Sequence, residues 1–231
     1  MKQKVVIFGC SFSAHLFEHL RPEHPYVFKT LAKGGNSNQR IITEVYDYVN
    51  SDEYQPSDIL NIQYSYTNRF WTPSQLNKPH LSFHGLRDGF IYQENRALAP
   101  KLKKFNELYL TLFFDNKLYF EHHLKQVDLL KTYLDSKNVK YNHYLHNKDS
   151  HYWEVAKNNH NGWGLISDSH VGGVGEVDLE KYGLTDFEGE ECMLDWTLKN
   201  NYNISEDNVH LIRKGEENLL EILMNKWKDL K

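Results

Sequence analysis

Cysteine is scarce in this chain, and the scarcity excludes a good deal. Cys10 and Cys192 are the only two in 231 residues and stand far apart in unrelated contexts. Neither a zinc knuckle nor a disulfide framework is encoded, and a reducing cytoplasm is the expected setting. Long apolar runs are missing too. The opening KQKVVIFG is too short for a secretory signal, and no stretch approaches the about 20 apolar residues of a membrane span, so neither export nor membrane insertion is expected. Charge of one sign is not in excess. With 27 basic against 31 acidic residues the formal net charge is -4, which gives nucleic acid no general attraction, and no local basic run supplies one. There is no internal repeat and no collagenous, mucin-like or low-complexity tract.

What is present is a globular composition, 40% hydrophobic and 25% charged, in a chain long enough to bury one full core without staples. One domain over 1–231 is expected. Aromatic residues are plentiful, including fifteen tyrosines and five tryptophans, many in polar stretches such as NIQYSYTNRFW and HYWEVAKNNHNGWG. A ring with an apolar face and a polar tip serves a core boundary as well as it serves a wet groove for a sugar-like ligand.

Patterning gives the order of elements. Residues 3–8 are a continuous apolar run, read as a buried strand, and Ala14 to Leu20 read as a short helix stopped near Pro22. Tyr26 to Ala32 form a second strand ended by Lys33-Gly34-Gly35-Asn36. Ser37 is a natural N-cap for a helix through Val49, with Ile41, Ile42, Val45, Tyr46 and Val49 as its apolar stripe. Asp58 to Gln63 make a third strand. Residues 72–100 show no sustained period and read as a long excursion over one sheet edge, a lid-like insert. A helical region follows from about Leu102 to Leu134, broken near Asp115-Asn116, and Val139 to Leu145 are the next strand. Residues 147–205 carry many glycines and turns and read as a second insert. After Gly215, residues Leu219, Leu220, Ile222, Leu223, Trp227 and Leu230 mark an amphipathic closing helix. Strands alternating with helices predict a three-layer α/β/α sandwich with a mostly parallel central sheet.

In such a sheet, chemistry gathers beyond the carboxyl ends of the strands. The first of these ends reads GCSFS, in which Ser11 is placed as a reactive hydroxyl and Ser13 suits the start of the helix. A serine hydroxyl is a weak nucleophile until a histidine takes its proton and a carboxylate fixes that histidine. The stretch SEDNVHLIRKG before the closing helix reads as a loop and holds Asp207 and His210 at that spacing. Backbone amides at Ser11 and Gly35 are candidate donors to a tetrahedral oxyanion.

These landmarks, in this order, resemble the SGNH (GDSL-like) hydrolase superfamily, in its GCSFS/T-type branch. GCSFS stands where that family's first block stands, GGNSN is similar to its glycine block, and DNVHLIRKG is similar to its Asp-x-x-His block with a following helix. The resemblance implies a flavodoxin-like SGNH fold with Ser11 as nucleophile and amide donor, Gly35 as second donor, His210 as base and Asp207 as its partner. No cofactor and no metal is expected. The family's third block carries an asparagine in a Gly-x-Asn setting, where this chain has QYSYTNR. Asn68, Ser65 and Asn38 are the candidates for that donor. Cys10 replaces the usual aspartate of the first block, and Leu211 follows the histidine where a proline is common.

Competing readings stay open at this point. Cys10 is an alternative nucleophile, although a residue directly after the strand glycine is expected to point inward. Asp168 and His170 are a rival acid and base. His122, His123, His143, His146, His151 and His160 lack a metal-site spacing and read as boundary or solvated histidines. GGVGEV at 172–177 lacks the ending of a phosphate loop. Arg69, beside the third strand's end, and Arg87 are candidates for pairing with an anionic substrate group. The expected function is hydrolysis of an ester, a small acyl group on a carbohydrate-like or other polar small molecule. Acyl transfer at the same site and a catalytically weak binding module on the same fold are the alternatives.

Overall fold

The computed structural model describes residues 2–16, 25–34, 36–65, 69–73, 80–84, 104, 116–147, 177–205 and 208–230. Its centre is an all-parallel sheet of β1 (Gln3–Phe8), β2 (Tyr26–Thr30), β3 (Ile59–Tyr64) and β6 (Lys140–Leu145) in the order β2-β1-β3-β6. Val5, Val6, Ile7 and Phe8 are all fully buried. An unbroken apolar run is what a strand covered on both faces requires. Register pairs Val5 with Phe28 and Ile59, Ile7 with Asn61, and Asn61 with Asn142.

Helices cover both faces, which makes the three-layer sandwich. On one face lie α2 (Asn38–Val49) and α3 (Asn116–Ser136). Tyr48 of α2 meets Phe8 edge-on at 5.8 Å between ring centres, and Tyr46 rests on Tyr133 of α3 at 5.0 Å. The buried stripe of α2 is Ile41, Val45, Tyr48 and Val49. Tyr46, expected in that stripe, is half-exposed instead. It lies about 100° round the helix from Val45 and reaches a neighbouring helix rather than the sheet. Ser37 caps α2 as expected, its hydroxyl accepting the Arg40 N–H at 3.3 Å.

The opposite face is covered by α1 (Ser11–His15), α5 (Met193–Lys199) and α6 (Arg213–Asp229). Trp227 of α6 packs on Tyr26 at 5.4 Å and Phe28 at 5.9 Å and donates its indole N–H to Asn61 at 3.3 Å. A short α4 (Leu179–Tyr182) precedes α5. The part of the second glycine-rich segment from 177 onward is structural wall: Leu184, Phe187, Met193, Leu194 and Trp196 are all core residues.

Two small antiparallel ladders were not legible in advance. β4 (Arg69–Pro73) pairs with β5 (His80–His84), so part of the expected irregular excursion is a hairpin, and it runs beside α2. Phe70, Trp71, Leu81 and Phe83 supply the ring-bearing and bulky residues that favour strand. The expected loop before the closing helix is also a hairpin, β7 (Asn203–Ser205) against β8 (Asn208–Leu211). Alternation in NVHL accounts for it. The closing helix starts at Arg213, so Gly215 sits in its first turn. A Cβ there would fall 2.6 Å from the Tyr202 Cβ and 3.0 Å from Leu211 Cδ2. Only glycine lets α6 approach this hairpin so closely. Among the described residues no helix is long and apolar enough to cross a membrane.

Candidate functional site

Strands β2 and β3 flank β1, so the chain leaves β1 to one side and then returns to the other. The carboxyl ends of β1 and β3 therefore bound the topological switch point, where open α/β sheets hold ligands. Ser11 lies there. It is the first residue of α1, directly after an extended N-cap at Cys10, whose carbonyl accepts the Ser13 and Ala14 amides at 3.1 Å each. The helix itself offers the Ser11 N–H no acceptor, as for any residue in a first turn.

The turn that carries Ser11 is clamped from two sides. On the β2 side the Gly9 carbonyl accepts the Lys33 N–H at 3.2 Å and the Asn36 side-chain amide at 3.1 Å. That amide also donates to Glu44 at 3.1 Å, and Glu44 is paired with Arg40 at 2.7 Å and Lys33 at 3.6 Å. On the β3 side, Gln63 Oε1 accepts the Ser13 hydroxyl at 2.8 Å and the Cys10 thiol at 3.4 Å, while its amide donates to Met193 Sδ at 3.4 Å. Gly9 is required by closeness: a Cβ would stand 2.7 Å from Ser13 Oγ and 3.0 Å from the Gln63 Cβ and Oε1.

Ser13 therefore does not start the helix, as its sequence context suggested. It is fully buried inside the first turn and is held by Gln63. The helix begins two residues earlier, with Cys10 as its N-cap, and the Ser13 hydroxyl donates to Gln63 because an unmet polar group in a dry core is costly. Cys10 points inward as expected and is fully buried. The polar seam continues through the sheet. Asn61 accepts from Asn142 at 3.1 Å and donates to the Tyr144 hydroxyl at 3.5 Å, and Thr185 donates to Asn142. Tyr144, wholly buried and next to Ser13, has its phenol pushed up to about 12 by that burial.

At the other edge of the site Asn38 joins α2 to the end of β3. Its Oδ1 accepts the Ser65 N–H at 2.5 Å and its Nδ2 donates to the Ser65 carbonyl at 3.1 Å. Both ends of this side chain are engaged in the scaffold, which leaves one amide hydrogen for anything else. Of the other residues singled out in the sequence, Arg69 opens β4 immediately beyond that strand end, and His210 is on β8 one residue before the buried Leu211. Gly35, Asn68 and Asp207 lie outside the described residues, as do Arg87, His151, His160, Asp168, His170 and most of the 172–177 motif.

Three of the histidines are core residues. On the α2/α3 face, His143 Nδ1 is 3.1 Å from the Tyr64 hydroxyl, and His123 meets the Tyr64 ring edge-on at 5.0 Å. Burial holds His143 down to about 4, and burial together with the His143 charge holds His123 down to about 3. On the site side, His146 stacks on Phe12 at 3.9 Å between ring centres. Among the described residues no three His, Cys, Asp or Glu side chains converge as metal ligands.

Gln63 and Asn36 are the contributors that motif reasoning passed over. Their signal was there to be read: a polar residue in a fully buried strand, or next to a strand-end glycine, must have a partner. Comparison with protein-family models, with curated proteins and with solved structures finds no match to this chain.

Proposed function

We propose that the protein is an SGNH-type serine esterase that removes a small acyl group from a polar, carbohydrate-like substrate in the cytoplasm. Ser11 attacks the ester carbonyl and passes its proton to His210, which Asp207 orients. The tetrahedral oxyanion takes hydrogen bonds from the Ser11 and Gly35 amides and from a third donor, Asn68 or the remaining Asn38 hydrogen. Collapse expels the alcohol, which receives the proton from His210, and water then hydrolyses the acyl-enzyme by the same base. Arg69, the first residue of β4, is the proposed partner of an anionic group on the substrate. No cofactor enters this scheme.

The observation that carries the reading is the setting of Ser11: the first helical residue after β1, beside the β1/β3 switch point, on a turn gripped from both sides. Release of nitrophenol from p-nitrophenyl acetate tests it, with Ser11→Ala and His210→Ala each expected to abolish turnover while the protein stays folded. Unchanged turnover in Ser11→Ala removes the mechanism. The engagement of Asn38 with Ser65 favours one other reading, a binding module on the same fold, because a missing oxyanion donor typically costs about two to three orders of magnitude in rate.

A further inference from the structure

Resting on the assignment of Ser11 as nucleophile, we infer that Gln63 is the positioning residue that fixes the reactive turn, acting through Ser13 and Cys10 rather than on substrate. Gln63 sits on β3 with almost no exposure, on the face that carries Asn61. One carbonyl oxygen receives donors from the two residues that bracket Ser11 in near sequence, the Cys10 thiol before it and the Ser13 hydroxyl after it. An acceptor with two lone pairs serves both at once. The amide end is anchored on Met193, so α5 fixes the side chain from behind.

The geometry gives Gln63 control of Ser11 along more than one path. Cys10 is the N-cap of α1 and Ser13 lies in its first turn, so their shared acceptor sets both where α1 begins and how it is rotated. The absent side chain at Gly9 belongs to the same device, since any Cβ there would collide with Ser13 Oγ and with Gln63 itself. A plain core residue at 63 would satisfy packing. It would leave the buried Ser13 hydroxyl without this acceptor, and the turn would shift to find another. Displacement of a nucleophile by about 1 Å is enough to lower reactivity by about 100-fold.

The test is the rate at which a fluorophosphonate probe labels Ser11, read by peptide mass and expressed per folded molecule, in the native protein, Gln63→Met and Gln63→Glu. Gln63→Met keeps shape and removes the acceptor, and its labelling is expected to fall by about 10- to 100-fold. Gln63→Glu keeps a side-chain carbonyl facing Ser13 and Cys10, and its labelling is expected to return to within about fivefold of the native rate. Adding Ser13→Ala to Gln63→Met should cost little more than either change alone, because both break one contact. Equal labelling per folded molecule in native protein and Gln63→Met, with only a lower melting temperature, overturns the positioning role and leaves the Ser11 assignment standing. A native protein that takes no label at Ser11 overturns both.

Discussion

Asn38 and Ser65 are joined twice, by the Ser65 N–H to Oδ1 at 2.5 Å and by Nδ2 to the Ser65 carbonyl at 3.1 Å. One side chain thus ties the first turn of α2 to the end of β3. Asn38→Ala leaves two buried backbone groups without these partners and is expected to destabilise the fold by about 1–3 kcal/mol. Hydrogen exchange locates the effect: the Ser65 amide should lose protection while amides of β1 keep theirs. An unchanged Ser65 amide would count against this role.

The approach of α6 to the β7–β8 hairpin depends on Gly215. Gly215→Ala puts a methyl group 2.6 Å from the Tyr202 Cβ, so helix or hairpin must move. The expected cost is about 1–3 kcal/mol, a fall of about 2–12 °C in melting temperature for a chain of this size. Because β8 carries His210, the same variant is expected to slow ester turnover by more than its loss of folded protein explains. Thermal melts and turnover measured on one preparation separate the two.

Acid stability is set in part on the other face. His123 and His143 are held neutral in the fold, with values of about 3 and about 4 against 6.5 for the free side chain, chiefly by burial. The unfolded chain takes up these protons near pH 6.5 and the folded chain does not, so stability is fully present above that pH and is lost as pH falls toward 4. Each histidine contributes a slope of about 1.4 kcal/mol per pH unit in that window. Lys131, Asp135 and Tyr141 lie around His143, and of these charges Lys131 disfavours and Asp135 favours its protonated form. Urea unfolding from pH 7.5 to 4.5 should show a shallower slope in His123→Phe than in the native protein. Identical slopes would contradict the account.

Both thiols are buried, Cys10 under Gln63 and Cys192 against Asp195. The folded protein should resist iodoacetamide, and both should react once it is denatured. Rapid loss of activity on alkylation of the folded protein at Cys10 would restore the thiol as nucleophile.

The sequence disclosed those features that depend on local period or on a single cap. The unbroken VVIF of β1, the Ser37 cap and the Leu219 to Trp227 stripe each lead directly to their elements, and the strand-helix alternation leads to the parallel sheet. Features that depend on what a residue meets across the fold were not readable. Ser13 suited a helix start in its local context, and only Gln63, fifty residues on, reveals it as a buried hydroxyl. Tyr46 and Tyr48 differ by their place on a helix whose neighbour, α3, comes much later in the chain. The two hairpins were hidden because their strands, three to five residues each, are too short for alternation to decide. Of the candidate site, the position of Ser11 was legible from GCSFS, while the clamp around it was not.

The most direct measurement is fluorophosphonate labelling of the full chain at neutral pH, followed by peptide mapping. The account predicts one adduct, on Ser11, absent in Ser11→Ala and strongly slowed in His210→Ala. Labelling confined to another residue, or equal labelling of the native protein and Ser11→Ala, would contradict it.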